Sequence, residues 1–140
     1  MRSLYDVAKA TMAIAPIAQT AAEKLSAAID TYGYDNALIQ VSNGAATGTP
    51  DSYTVACKVQ ECATSGGSYA DISGATATIS ADGTSAQIRV PGLGTGSRLR
   101  YIKVSMTPAF TGGTSPKALI GATVLMAPLD LPATNSSTPA

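Results

Sequence analysis

Between Tyr53 and Glu61 the side chains alternate with a period of two. Tyr53, Val55, Cys57 and Val59 fall on one face, and Thr54, Ala56, Lys58 and Gln60 on the other. Apolar, β-branched and aromatic residues on one side of such a run define a half-buried strand. A second run, Leu99 to Thr107, places Ile102, Val104 and Met106 inward and Tyr101, Lys103 and Ser105 outward. A third, Leu119 to Met126, is apolar almost throughout and predicts a strand covered on both faces. Three runs of this length are the core of a sheet-on-sheet domain, and none carries an evident reaction centre.

The remaining strands are shorter. Ala37, Ile39 and Val41 alternate with Leu38, Gln40 and Ser42 after the turn cluster Asp30–Asn36, in which Gly33 is free to take positive φ. Residues 43–51 form a polar loop. Tyr69 to Ile72 is a short return strand broken by Ser73-Gly74, and Ala75, Ala77 and Ile79 alternate beyond it. Asp82-Gly83 has hairpin chemistry, so Ala86, Ile88 and Val90 are expected to pair with 75–79. Pro91 to Gly96 is a flexible connection, and Pro108 to Pro116 links the last two strands. The total is about seven or eight antiparallel strands at roughly ten-residue spacing, an all-β, jelly-roll-like β-sandwich. No 3.6-period segments separate the strands, which excludes helical repeats and α/β folds.

That domain spans residues 29–127. Residues 1–28 are the least strand-like part and are expected to be an N-terminal arm or short helix. Ser3 and Asp6 offer a cap, and Thr20 with Glu23 has capping-box spacing, but Pro16 forbids one continuous helix. Such a segment either lies along its own domain or docks on a neighbouring subunit. Residues 128–140, rich in Pro, Ser and Thr, are expected to be a flexible C-terminal tail.

Composition narrows the partners. Nine basic residues balance nine acidic ones, which removes a general electrostatic case for nucleic acid or an anionic membrane. Charged residues are 13% of the chain, against roughly 25% in ordinary domains. So little charge suits a surface packed against other proteins, and equally a Thr- and Ser-rich β domain. No run of about 18 apolar residues exists to span a membrane. The run Ala10–Ala18, preceded by Asp6 and Lys9 and interrupted by Pro16, is a poor secretory signal. Cys57 and Cys62, the only cysteines, stand about 16 Å apart along an extended chain. A disulfide needs about 4.4–6.8 Å between Cα atoms, so two free thiols are expected, Cys57 in the core and Cys62 exposed at the strand end.

Catalytic, metal and cofactor candidates are wanting. There is no histidine, and two cysteines alone do not make a zinc site. Asp30, Asp35, Asp51, Glu61, Asp71 and Asp82 are each accounted for by turn or strand-end chemistry. Calcium on Asp30 and Asp35 lacks EF-hand spacing, and Gly92, Gly94 and Gly96 are not a phosphate-cradling motif. Arg89, Arg98, Arg100 and Lys103 lie within fifteen residues, with only Tyr101 interleaved. They are read as solvated charges or ion pairs with an acidic neighbour, not as a nucleic-acid patch. The expectation is a chain without enzyme activity and without catalytic, metal or cofactor residues.

Several motifs resemble a known family. Asp30-Thr31-Tyr32-Gly33-Tyr34-Asp35-Asn36-Ala37 is similar to the D-x-x-G-Y-D-x-A opening of small tailed-phage structural proteins. There it is followed by a V-K-V-Q-E strand, a Gly/Ser reversal and a Y-x-D-I strand. Here Lys58-Val59-Gln60-Glu61, Gly66-Gly67 and Tyr69-Ala70-Asp71-Ile72 stand in those places. Leu99-Arg100-Tyr101-Ile102-Lys103-Val104 with Thr107-Pro108-Ala109 resembles their R-Y-I-x-V…T-P-A strand, so the likeness runs over residues 29–126. It implies a capsid cement, or decoration, protein. Such a protein is made in the host cytoplasm, sits on the outer surface of the virion and clamps neighbouring major capsid proteins against internal pressure. Its partners would be the major capsid protein and itself, as a homodimer first and a trimer second, with no nucleic acid and no membrane. Candidate capsid or subunit contacts are Leu4, Tyr5, Met12, Ile14 and Ile17 of the arm and Leu129 and Leu131 of the tail. A different class of function, a carbohydrate-binding or host-attachment β-sandwich on a phage particle, would use exposed aromatics, best Tyr32 and Tyr34.

Overall fold

The computed structural model describes residues 4–94 and 96–128, with Leu4 and Tyr5 through their backbone alone. One helical turn, α1 (Leu4–Val7), precedes the strands. These are β1 (Lys9–Gln19), β2 (Lys24–Leu25), β3 (Ile29–Asp30), β4 (Asn36–Thr47), β5 (Ser52–Cys62), β6 (Ala70–Ile79), β7 (Thr84–Val90), β8 (Tyr101–Thr111) and β9 (Lys117–Ala127). They form two antiparallel sheets, ordered β1-β9-β4-β7 and β2-β8-β5-β6, with β3 also on β8.

The order has a simple origin. Taken together, β2 and β3 are one interrupted strand along β8. The chain then pairs first strand with last, second with second-last, and so inward to β5 with β6. It is a long hairpin whose bend is residues 63–69. Rolling that hairpin lays β9 against β4 and β8 against β5. This winding is the jelly roll. The alternating strands put Ile39, Val41, Val55, Val59, Ile102, Val104, Met106 and Val124 between the sheets, all fully buried.

Several local expectations are corrected. Residues 9–19 lie along their own domain, the first of the two readings, but as the edge strand β1 instead of a helix, register-matched to β9 from Lys9↔Met126 to Gln19↔Ala118. Two register shifts, around Ile14, break its alternation, and the edge position tolerates Pro16 without a ladder donor. Residues 43–47, expected in a loop, belong to β4 instead. Residues 70–79 are one strand, with Gly74 (φ 82°) at the irregularity where the pairing jumps from Lys58↔Thr76 to Gln60↔Asp71. A bulge absorbs the interruption that reads as a break in sequence. Pro108 to Thr111 continue β8 against β5.

The turn at Asp82-Gly83 does not close a hairpin. It carries the chain from β6 in one sheet to β7 in the other, where β7 pairs with β4. Asp82 fixes that corner: its carboxylate accepts from the Tyr53 hydroxyl and from the Ala46 N–H at 3.1 Å. Asn43 Nδ2 donates to the same Tyr53 oxygen and, at 3.0 Å, to the Ala81 carbonyl. Burial, with the Asp82 carboxylate beside it, pushes the Tyr53 phenol above its ordinary pKa.

Burial also departs from expectation in four places. Ser105 is buried because Glu23 caps its hydroxyl and Ser26 bonds the neighbouring Val104 backbone in both directions. Leu93, in a connection expected to be flexible, is fully buried, and its N–H donates to the Asp35 carbonyl at 2.9 Å. Cys62 is buried, not exposed, beneath the 63–69 bend; a Cβ on Gly67 would lie 2.5 Å from its sulfur. The strand β9 is covered on one face only, since Leu119 and Thr123 are exposed.

Candidate binding surfaces

The corner where β3 meets the start of β8 carries the densest polar network. Asp30 ends β3, and Arg100 stands just before its partner Tyr101. Arg100 donates through Nε to Asp30 Oδ1 and through Nη2 to Oδ2, both at 2.8 Å. This two-pronged geometry is the strong form of an ion pair. Asp30 Oδ1 also accepts the Tyr32 N–H at 3.0 Å. The guanidinium holds the Asp30 carboxyl down at about 2, with the Tyr32 amide adding to the effect, and the carboxylate raises Arg100 in turn. With both oxygens engaged by Arg100, Asp30 is an ion-pair partner instead of a calcium ligand.

Arg100 also lies over two aromatic rings. Its guanidinium carbon lies 4.9 Å from the centre of the Tyr32 ring and 5.2 Å from that of Tyr101, within cation–π range. Thr31 is buried beneath, its hydroxyl and N–H both donating to the Arg100 carbonyl. Gly33 turns the chain with φ 90°, a conformation that glycine adopts without strain. The result is a cleft of about 440 Å³ lined by Tyr32, Gly33, Tyr34 and Asp35 from the turn after β3 and by Gly94, Arg98, Leu99 and Arg100 from the connection to β8. Arg98 Nε lies 3.7 Å from Glu61 Oε1, and the same oxygen accepts the Leu99 N–H at 3.0 Å.

The fold therefore brings Tyr32 and Tyr34 to one cleft and adds walls that sequence reasoning left among solvated strand charges. Arg98 and Arg100 stand more than sixty residues from the tyrosines, and no spacing in the chain announces their meeting. Of the other two clustered cations, Lys103 sits with Nζ 4.5 Å from the Tyr69 ring centre, and Arg89 faces outward on β7. Among the described residues no group of three potential ligands could hold a metal ion.

The second surface is the outer face of the sheet β1-β9-β4-β7. Pairing registers line up one row of Met12, Thr123, Gln40 and Gln87 across all four strands, and another of Ala10, Leu125, Leu38 and Arg89. These strands contain no acidic residue, and their cations are Arg89 with Lys9 and Lys117 at strand ends. The opposite sheet differs: Lys58 and Asp71 pair at 3.1 Å on it, and Lys103 stands nearby. The apolar exposure of the β1-β9-β4-β7 face is large for single residues, with Met12 64% and Leu119 43% exposed, while Ile17, opposite buried Ile120, is 36% exposed at the inner rim of the β1 edge. Leu38, Leu125, Val90 and Pro91 wall a shallow groove of about 470 Å³ at one end of this face.

The residues expected to make contacts divide accordingly. Met12 and Ile17 are exposed on the β1 edge. Ile14, by contrast, is 2% exposed and part of the core, because the register shifts on either side of it turn its side chain inward opposite Ala122. It is removed as a contact. Leu4 and Tyr5 lie in α1 with side chains outside the described residues, as are Leu129 and Leu131 entirely. Leu119, Leu125 and Leu38 join the surface although sequence reading gave them to a doubly covered strand or to alternation alone.

These features define a jelly-roll β-sandwich with one charge-poor face and one aromatic, arginine-lined cleft. No protein-family model and no curated protein matches the sequence. Among solved structures the chain is similar to PBSX exported protein XepA, with a TM-score of 0.63 at 11% identity over 100% of this chain and 44% of that one. It thus spans less than half of XepA's length. The tobacco streak virus coat protein is matched over 99% of this chain and 100% of its own, at 9% identity and a TM-score of 0.40. TmCBM61, solved in complex with β-1,4-galactotriose, is matched over 86% and 88% at 9% identity and a TM-score of 0.37.

Proposed function

We propose that this chain is a structural cement, or decoration, protein that binds the outer surface of a phage head and clamps adjacent major capsid proteins. The observation that carries the reading is the outer face of β1-β9-β4-β7, four strands without one acidic side chain and with Met12 and Leu119 exposed. Water-exposed apolar surface of this kind is worth roughly 25 cal/mol per Å² when a partner covers it, and extended patches mark interaction sites. The motif likeness over residues 29–126 supplies the capsid as the partner, and the jelly-roll winding suits a rigid module repeated on a lattice. Clamping follows from multivalency: an oligomer whose copies each touch a capsid subunit gains avidity from weak single contacts. A closed dimer is the first choice of oligomer because isologous pairing is the commonest closed symmetry, and a trimer the second.

The test is cosedimentation of the purified protein with heads of its source phage that lack it. Saturable binding that protects the heads against heat supports the reading. Absence of binding at micromolar protein refutes it.

A further inference from the structure

The cleft beside Tyr32 is not used by the capsid reading, and its construction points elsewhere. Tyr32 is 76% exposed, so its ring adds almost nothing to the core. Even so, it is held in place: its N–H is bound by Asp30, and one ring face is covered by a guanidinium fixed by two 2.8 Å bonds and a second ring. An exposed aromatic ring positioned by a network with no part in the core is a preorganised platform. We propose that this cleft is a saccharide-binding site, with Tyr32 stacking on the apolar face of a sugar ring and Arg98 and Asp35 engaging its hydroxyls.

The chemistry of the walls selects the ligand class. A sugar hydroxyl both donates and accepts hydrogen bonds, whereas a guanidinium only donates and a carboxylate only accepts. Arg98 and Asp35, both lining the cleft, supply the two halves. Leu99, 43% exposed, offers a second apolar surface for ring C–H groups. The cations are balanced, Arg100 by Asp30 and Arg98 by Glu61, which disfavours phosphate or nucleic acid. The volume of about 440 Å³ falls within the roughly 300–1,000 Å³ of small-ligand sites and suits a saccharide unit better than a flat protein contact. This inference is independent of head binding, which uses another face.

The experiment is retention of the intact protein on an array of bacterial O-antigen and capsular polysaccharides. Saturation-transfer NMR with free glucose, galactose, mannose, rhamnose and N-acetylglucosamine accompanies it. The expected result is retention of at least one polysaccharide, weakened roughly three- to tenfold, the scale of one lost aromatic contact, by Tyr32→Ala and by Arg98→Ala. Tyr32→Phe should retain it, and the Tm of Tyr32→Ala should stay unchanged. No saccharide bound in either format, or binding that Tyr32→Ala leaves intact, overturns the proposal. Loss of head binding in Tyr32→Ala without any saccharide bound also overturns it and assigns the corner to a protein contact.

Discussion

Leu93→Ala is the substitution that most sharply separates this fold from a sandwich with a loose connection at 91–96. Leu93 is fully buried although it belongs to no strand, and its N–H is anchored on the Asp35 carbonyl at 2.9 Å. Truncating a buried leucine loses its transfer free energy and leaves a cavity, together about 2–5 kcal/mol. The anchored backbone limits collapse into the void, which places the expected cost at about 3 kcal/mol. Unfolding 140 residues at about 2.1 cal/mol/K each gives an entropy near 0.3 kcal/mol/K. The Tm should therefore fall by roughly 10 °C. Leu99, six residues on and 43% exposed, is the internal control: Leu99→Ala should cost under about 1 kcal/mol. Urea denaturation followed by circular dichroism measures both, and an unchanged m value keeps the comparison two-state. If Leu93→Ala costs no more than Leu99→Ala, the 91–96 connection does not seat in the core, and the cleft wall it carries through Gly94 loses its support.

Other perturbations follow from the ion pair and the thiols. Asp30 sits at about 2 when folded against an ordinary 3.8, so its pairing with Arg100 stabilises fully above about pH 5, weakens below that and is lost as pH falls through 2. Melting the wild type and Asp30→Asn from pH 5 to pH 2 should show the wild-type advantage shrinking to a small remainder at pH 2, where native Asp30 is still about half ionised. The advantage should be small throughout, because both partners are largely solvated, and an advantage that grows on acidification would contradict the assignment. Burial pushes the Cys57 thiol up to about 11, so native protein at pH 8 should resist iodoacetamide at Cys57. Cys62, less deeply buried than Cys57 and lying under the 63–69 bend, should react first, with both thiols modified in denaturant; peptide mass spectrometry reads the order.

The strands that sequence reading places well are those whose two faces differ in chemistry. Val55, Cys57 and Val59 against Thr54, Ala56 and Lys58, or Ile102 and Val104 against Tyr101 and Lys103, leave one way to lie between the sheets. β1 was hidden because alanine is neutral between exterior and interior, and because register shifts on both sides of Ile14 destroy the alternation. The partner of β7 was hidden because an Asp-Gly turn can cross between two sheets as well as join two neighbours. Tyr53 and Asn43, which lock that turn through Asp82, lie far from it in sequence. At the cleft, Tyr32 and Tyr34 were legible as exposed aromatics in a turn. Their arginines were not, since the pairing of Asp30 with Arg100 joins residues seventy apart through the β3–β8 register. Ser105 reads as an outward residue by alternation, and only the return of Glu23 and Ser26 over it explains its burial.

The measurement closest to the central claim is head cosedimentation with charge placed on each sheet in turn. Met12→Glu with Leu119→Glu puts two carboxylates on the β1-β9-β4-β7 face, both at exposed positions that folding tolerates. Thr76→Glu with Thr78→Glu does the same on exposed positions of β6 in the other sheet. The account predicts that the first pair abolishes saturable binding while the second leaves it intact, with both proteins folded by circular dichroism. Binding that survives the first pair and fails with the second would contradict it.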